Sequence, residues 1–203
     1  MSKNKLDYIS LNSLTGKLLV SSPAISDNRF YKSIILITKH DSSGATGIVL
    51  NKISAHKFSH IIKSTNILID ETAVDLNEQN INIVLGGPVN SNNLFIIHSN
   101  DYQNNDTIKI TDSIYMTNHS NIIEDIAKNK GAKNSIISIG CATWSANQLE
   151  YELLSNTWFI LEPEKSSIFE IPTTKLYDEL FVKTGFLEHE NNPAMFLTKS
   201  FKC

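Results

Sequence analysis

The sequence predicts one α+β domain with a mixed β-sheet. Strand-like apolar runs outnumber helical segments, and hairpins occur beside strands that helices connect. No linker, internal repeat or low-complexity stretch divides the 203 residues. The composition, 41% hydrophobic and 19% charged, is ordinary for a globular chain long enough to bury a full core. We therefore expect a single domain over residues 1–203, with a loose arm over 1–13 and a peripheral tail over 186–203.

Strands are predicted where apolar or alternating runs are bounded by turn residues. They are expected at 16–21, 33–38, 46–51, 81–85, 94–98, 107–110, 114–116, 135–139 and 156–161. Two pairs of neighbouring runs, 33–38 with 46–51 and 107–110 with 114–116, are predicted hairpins. Helices are predicted at 56–64, at about 120–129, from Ser145 onward and from 173 or 174 to about 184, with short helical turns near 27–32 and 166–169. The polar segment 65–80 is predicted to be a loop.

Charge and cysteine content exclude several classes of protein. A formal charge of -3, a single arginine and scattered lysines argue against direct, strong nucleic-acid binding. Two cysteines, Cys141 and Cys203, are too few for a disulfide framework or a zinc site and fit a reducing compartment. There is no signal-peptide pattern and no apolar run of about 18 residues. We expect a cytoplasmic protein with no membrane segment, metal or cofactor.

The densest stretch of chemistry lies at residues 139–150. A strand is predicted to end at Gly140, and Ser145 and Gln148 have the spacing of a capping box that opens a helix. Cys141 and Trp144 would then lie on a strand-to-helix turn. Cys141 is either a thiolate whose pKa the helix dipole lowers, or a buried small side chain; the nucleophile-elbow glycine pattern is absent, which favours burial.

Each of the other candidate residues has a functional interpretation and a simpler structural one. Gly86 and Gly87 precede Pro88 and suit an anion-binding loop, but a turn with positive φ is favoured because no phosphate-loop motif follows. His56 and His60 are four residues apart without the glutamate of a metalloprotease motif, so a solvated helix face is favoured over a metal site. His98 at a strand end is either a general base or a loop-bonded histidine. Trp144 and Trp158 are expected to clamp the core.

Several short motifs, taken in order and spacing, resemble the AlgH/YqgE family of bacterial proteins, which are catalogued as uncharacterised. The matching residues are Gly16, Pro23, Phe30, His40, Gly44, Asn51, Gly86, Gly87, Pro88, His98, Gly140, Trp144, Gln148, Glu150, Glu152 and Trp158. The match spans about residues 16–184. The chain departs from the family at 27–29, at Cys141, where an aromatic is usual, at Thr143, where a glycine is usual, and at 145–147.

The resemblance implies a single α+β domain whose mixed sheet is bifurcated, partly barrel-like and surrounded by helices. It brings no established enzyme activity, metal or cofactor, and some members are named as transcriptional regulators without a recognisable DNA-binding motif. A departure from the family at Cys141 also argues that this thiol serves no activity shared by the family.

We therefore expect a non-enzymatic binding or regulatory module with an unknown protein or small-molecule partner. Polar residues at strand ends and turns are expected to line its cleft. The candidate cleft residues are His40, Asn51, Gly86, Gly87, His98, Gln148 and Glu150. The alternative is an enzyme, a hydrolase or thiol-dependent activity, that uses Cys141 or a histidine with Glu150. Direct regulation of DNA or RNA is the third hypothesis, and the oligomeric state stays open.

Overall fold

The described part of the computed structural model, residues 13–65 and 81–186, contains nine strands and five α-helices. The strands are β1 (Leu18–Ser21), β2 (Ile34–Asp41), β3 (Gly44–Val49), β4 (Asn82–Leu85), β5 (Val89–Ser99), β6 (Thr107–Lys109), β7 (Ile114–Thr117), β8 (Ser135–Ser145) and β9 (Trp158–Leu161). The helices are α1 (Phe58–Ser64), α2 (Asn121–Ala127), α3 (Gln148–Leu154), α4 (Lys165–Phe169) and α5 (Leu176–Lys183), with a 3-10 helix at Asn28–Phe30. Both predicted hairpins are present, as β2–β3 and β6–β7.

One long strand, β8, holds the sheet together. The order is β6-β7-β5-β8-β3-β2-β1-β9, and β4 pairs with β8 off this path. The first half of β8 lies between antiparallel β5 and parallel β4, whereas its last four residues pair with β3. The sheet is therefore mixed and bifurcated, and its antiparallel part curls into a half-barrel, as expected.

Alternation along the strands divides the core into three clusters. One cluster packs the strands against α4 and α5 through Ile168, Leu176 and Leu180. A second packs β1, β2 and β3 against α3 and the two tryptophans. The third places α1 and α2 on the β4–β8–β5 part of the sheet, where isoleucines predominate. Trp144 and Trp158 are buried, 6% and 3% exposed, which confirms their role in the core.

The strand predicted to end at Gly140 instead continues to Ser145. Gly140 has φ of +74°, and a Cβ there would lie 2.6 Å from the carbonyl oxygen of Gly87 and 2.9 Å from that of Val89. The glycine thus marks the bend at which β8 leaves β5 and approaches β3. Long-range pairing with β3, which the local sequence does not reveal, extends the strand.

The predicted helix start was wrong by two to three residues. Helix α3 begins at Gln148, and its N-cap residue is Asn147 with φ of +64°, not Ser145. Half of the expected capping box survives, because the Ser145 N–H donates to Gln148 Oε1 at 3.0 Å. Asp27, in contrast, caps the 3-10 helix in the predicted helical turn by accepting the Arg29 N–H at 3.0 Å.

Most of the predicted arm, loop and tail lies outside the described residues. Ser13 and Phe186, the end residues that are described, both contact the domain. Ser13 Oγ donates to the carbonyl oxygen of His40 at 3.1 Å. The ring of Phe186 lies 5.4 Å from that of Phe159 and 5.6 Å from that of Phe181, centroid to centroid.

In the described ranges, each helix is too short or too polar to cross a bilayer.

Replacing Gly140 by alanine should destabilise the fold. The Cβ would meet two carbonyl oxygens at a left-handed backbone position, so we expect a loss of about 1–3 kcal/mol in the free energy of unfolding. Urea denaturation of Gly140→Ala and of Thr143→Ala, an exposed residue of the same strand, provides the measurement. The control should change by about 0.5 kcal/mol or less; equal effects would show that the bend at Gly140 needs no glycine.

Candidate functional site

His40 and Glu150 are brought together as a buried pair. His40 Nε2 lies 2.9 Å from Glu150 Oε1, and their side chains are only 5% and 8% exposed. The Leu14 N–H donates to His40 Nδ1 at 3.0 Å. Because Nδ1 accepts a hydrogen bond, the ring proton is on Nε2 and is donated to the carboxylate. Both ring nitrogens are therefore engaged, and the pair joins β2, α3 and the segment before β1.

Gln148 belongs to a second network, centred on Glu152, which lies two residues after Glu150 in α3. Glu152 Oε2 accepts the indole N–H groups of Trp144 at 2.9 Å and of Trp158 at 2.6 Å. Glu152 Oε1 accepts Gln148 Nε2 at 2.9 Å. Three donors thus satisfy one carboxylate, and they clamp the helix between the ends of β8 and β9. The motif residues around position 150 stabilise this corner of the fold.

Gly86 and Gly87 pack tightly against the branch of the sheet. The N–H of Gly86 donates to Ile139, and its carbonyl oxygen accepts the Val49 N–H, both at 2.9 Å. A Cβ on Gly87 would lie 2.2 Å from the carbonyl carbon of Cys141. Asn51 has a similar structural role, since its Oδ1 accepts the Ile34 N–H at 2.9 Å. The glycines are needed for close approach between backbone segments.

Cys141 lies within β8 rather than on a strand-to-helix turn, and only 1% of it is exposed. Burial raises the pKa of the Cys141 thiol, against a smaller opposing effect of the Asn90 side-chain amide 3.9 Å away. These features do not support the hypothesis of a thiolate activated by the helix dipole, because Cys141 lies seven residues before α3 begins. The surrounding strand favours the neutral thiol.

His98 lies far from the other candidates. It is fully buried in β5, with Nδ1 2.9 Å from the Ser99 carbonyl oxygen and Nε2 3.0 Å from Thr117 Oγ1. Burial lowers the pKa of His98, which favours the neutral ring. His98 pairs with Ser135 at the first end of β8. His40 pairs with Ala45 of β3, and Ala45 in turn pairs with Trp144 near the last end of β8. Nine residues of strand, at most roughly 30 Å, separate Ser135 from Trp144.

The structure shows an open cleft elsewhere, beside the first half of β5. Its volume is about 370 Å³, within the range of small-ligand sites. We call it the β5 cleft. Its polar lining consists of Thr65, Asn92, Asn93, Asn118, His119 and Ser120, and its apolar lining of Leu94, Phe95, Ile96 and Ile123. It lies where the end of α1, the beginning of α2 and strand β5 meet.

The polar side chains of the β5 cleft are nearly all uncharged. None of the ten lining residues is an aspartate, glutamate, lysine or arginine. His119 Nδ1 accepts the Asn121 N–H at 3.3 Å. The lining suits a ligand that has both amide or hydroxyl groups and an apolar portion.

The sequence-based candidates do not include these cleft residues, although weak signals were present. Polar runs occur at 91–93, inside β5, and at 117–121, from the last residue of β7 into α2, and Asn118 and Ser120 are of residue types that cap helices. Ser120 is indeed the N-cap residue of α2, but its side chain makes no capping bond. In the described ranges, no group of three or more histidine, cysteine, aspartate or glutamate side chains is placed to hold a metal ion.

Comparison with known proteins gives consistent relatives. A family model described as AlgH-like matches residues 18–187. A UPF0301 protein of Methylocella silvestris is 35% identical over 177 residues, which cover 85% of this chain and 85% of the relative. The UPF0301 protein BQ03640 of Bartonella quintana is 31% identical over 174 residues, covering 85% and 90%.

Two solved structures share the fold. The solution structure of the AlgH protein from Pseudomonas aeruginosa gives a TM-score of 0.72 at 24% identity and covers 93% of this chain and 97% of that one. The crystal structure of protein DIP2367 from Corynebacterium diphtheriae gives a TM-score of 0.67 at 18% identity, with 90% of each chain covered. At these identities the likeness concerns the fold alone.

The Glu152 network can be tested by removing its charge. In Glu152→Gln, an amide N–H₂ would face one of the donors that the carboxylate now accepts, so we expect a loss of about 1–3 kcal/mol in the free energy of unfolding. Urea denaturation followed by tryptophan fluorescence measures it. Glu179→Gln, an exposed change on α5, is the matched control and should have little effect. If both variants unfold alike, the network does not stabilise this corner.

Proposed function

Since the chain belongs to the AlgH-like family, for which no reaction is established, we propose that it is a non-enzymatic binding or regulatory module of the cytoplasm. We place its ligand site in the β5 cleft. The observation that supports this proposal is the cleft itself: an open volume of about 370 Å³ with six polar and four apolar lining residues. Such a mixture of apolar floor and polar rim is typical of small-ligand and peptide sites.

The motif residues outside the cleft favour binding over catalysis. A general base must have a ring nitrogen or carboxylate oxygen within reach of a substrate. Both nitrogens of His40 are bonded within the protein, and the Glu150 oxygen beside them is buried. A nucleophilic cysteine is typically accessible with a lowered pKa, whereas burial raises the pKa of the Cys141 thiol. These features weigh against the enzyme hypothesis.

Direct nucleic-acid recognition also fits the cleft poorly. Binding to a phosphate backbone depends on lysine and arginine side chains. The chain carries a formal charge of -3, and the cleft lining contributes no permanent positive charge. Any regulatory role would therefore act through an uncharged ligand or through a protein partner.

The proposal is tested by titrating ¹⁵N-labelled protein with a library of small uncharged amides and alcohols. We expect binders whose chemical-shift changes centre on the amides of Asn92, Asn93, Asn118 and His119. The variant Asn93→Trp places a large ring at an exposed lining position and should abolish these changes without unfolding the protein. Ser91→Trp, an exposed change two residues earlier that lies outside the lining, should leave them intact.

Shift changes that persist in a folded Asn93→Trp protein, or that fall outside the cleft, would contradict the proposal. So would the absence of any binder from the library. If Asn93→Trp does not fold, Asn118→Trp blocks the cleft from the opposite side and decides the same question.

A further inference from the structure

Among the described residues, the part of β5 just before Ile96 has one paired edge and one open edge. Strand β7 pairs with β5 only along Ile96–Ser99, and it ends at Thr117, opposite Ile96. The chain then turns away into α2. Leu94 and Phe95, directly before Ile96, therefore have β8 on one side and the β5 cleft on the other, whereas the register with β8 shifts between Val89 and Leu94.

Successive residues of a strand direct their backbone N–H and C=O groups alternately to the two neighbouring strands, and this alternation determines which groups of β5 face the open side. The Gly86 N–H donates to the Ile139 carbonyl oxygen at 2.9 Å, so the backbone groups of Ile139 point toward β4 and away from β5. Leu94 is the antiparallel partner of Ile139. Leu94 and Ile139 therefore form a non-hydrogen-bonded pair, and the N–H and C=O of Leu94 point away from β8.

The open side at Leu94 is the cleft. Ile96, two residues on, has the same parity and faces Thr117 of β7. The position opposite Leu94 would fall to His119 if β7 continued, but His119 belongs to the turn that caps α2. No described loop or helix residue forms a backbone hydrogen bond with Leu94. A donor and an acceptor are thus presented together at the cleft.

We propose that the β5 cleft binds an uncharged, extended peptide segment of a partner protein, which adds to β5 as an antiparallel strand in line with β7. This inference rests on the proposed binding function and specifies its ligand class. Strand addition obtains affinity from main-chain hydrogen bonds and specificity from pockets for alternate side chains. Here the main-chain partner is Leu94.

The cleft also defines the side chain that such a peptide needs. Leu94 packs with the same cluster as Ile96 and Ile123, on the helix-covered face of the sheet. A peptide residue paired with Leu94 would direct its side chain to that same face. That residue should be apolar, because the floor is apolar. Its neighbours should be uncharged, because the rim offers amides, hydroxyls and one imidazole but no carboxylate, ammonium or guanidinium group.

The test uses a pool of blocked pentapeptides with an apolar central residue and Thr, Ser, Asn or Gln elsewhere. We expect binders that shift the Leu94 amide of ¹⁵N-labelled protein and that lose binding in Asn93→Trp but not in Ser91→Trp. The best binder is then made in two N-methylated forms, because N–H groups alternate between the two edges of a strand. Methylating the peptide N–H that faces β5 should weaken binding about tenfold or more, whereas methylating an N–H on the opposite edge of the peptide should not.

Four outcomes would overturn the inference. Equal sensitivity of both edges to methylation would exclude strand addition. Shifts centred on the outer strands β6 or β9 would place the peptide at another edge. If no peptide binds while small uncharged amides still occupy the cleft, the peptide inference fails and the proposed binding function stands; if neither binds, both fail.

Discussion

The structure depends on the division of strand β8 at Gly140. Before this residue β8 is held between β5 and β4, and after it the strand pairs with β3. The bend requires a left-handed backbone and brings Gly87 against Cys141 without room for a side chain. The positions of both halves of the bifurcated sheet, and of the helices that cover them, depend on this bend at Gly140. Cys141 is buried because it is the residue directly after this bend.

The motif residues mostly hold elements to this sheet. His40 and Glu150 connect β2 with α3, and Glu152 gathers two tryptophans and Gln148 around the same helix. Buried polar groups of this kind are costly unless every partner is present, so such networks favour one arrangement of the fold. The ligand site that we propose lies apart from them, where polar residues surround an incompletely paired strand.

The sequence predicted the strands and helices because they are local patterns: alternation, apolar spacing and turn residues. It failed where distant pairing decides. Gly140 reads locally as the end of a strand, but pairing of Trp144 with Ala45 extends β8 to Ser145. The sequence alone did not indicate that His98 and Glu150 lie far apart, because that distance depends on the register between β5 and β8. The cleft likewise arises because β7 ends opposite Ile96, and no local signal specifies which residue of β5 loses its neighbour.

The central claim is that the Leu94 backbone has no partner among the described residues, whereas the next two residues, Phe95 and Ile96, are paired. Hydrogen exchange of the unliganded protein, resolved by residue, tests it most directly. The account predicts fast exchange of the Leu94 amide, and slow exchange of the Phe95 and Ile96 amides, which face β8 and β7. Protection of Leu94 equal to that of Phe95 and Ile96 would contradict it, because the edge that defines the cleft would then already be occupied.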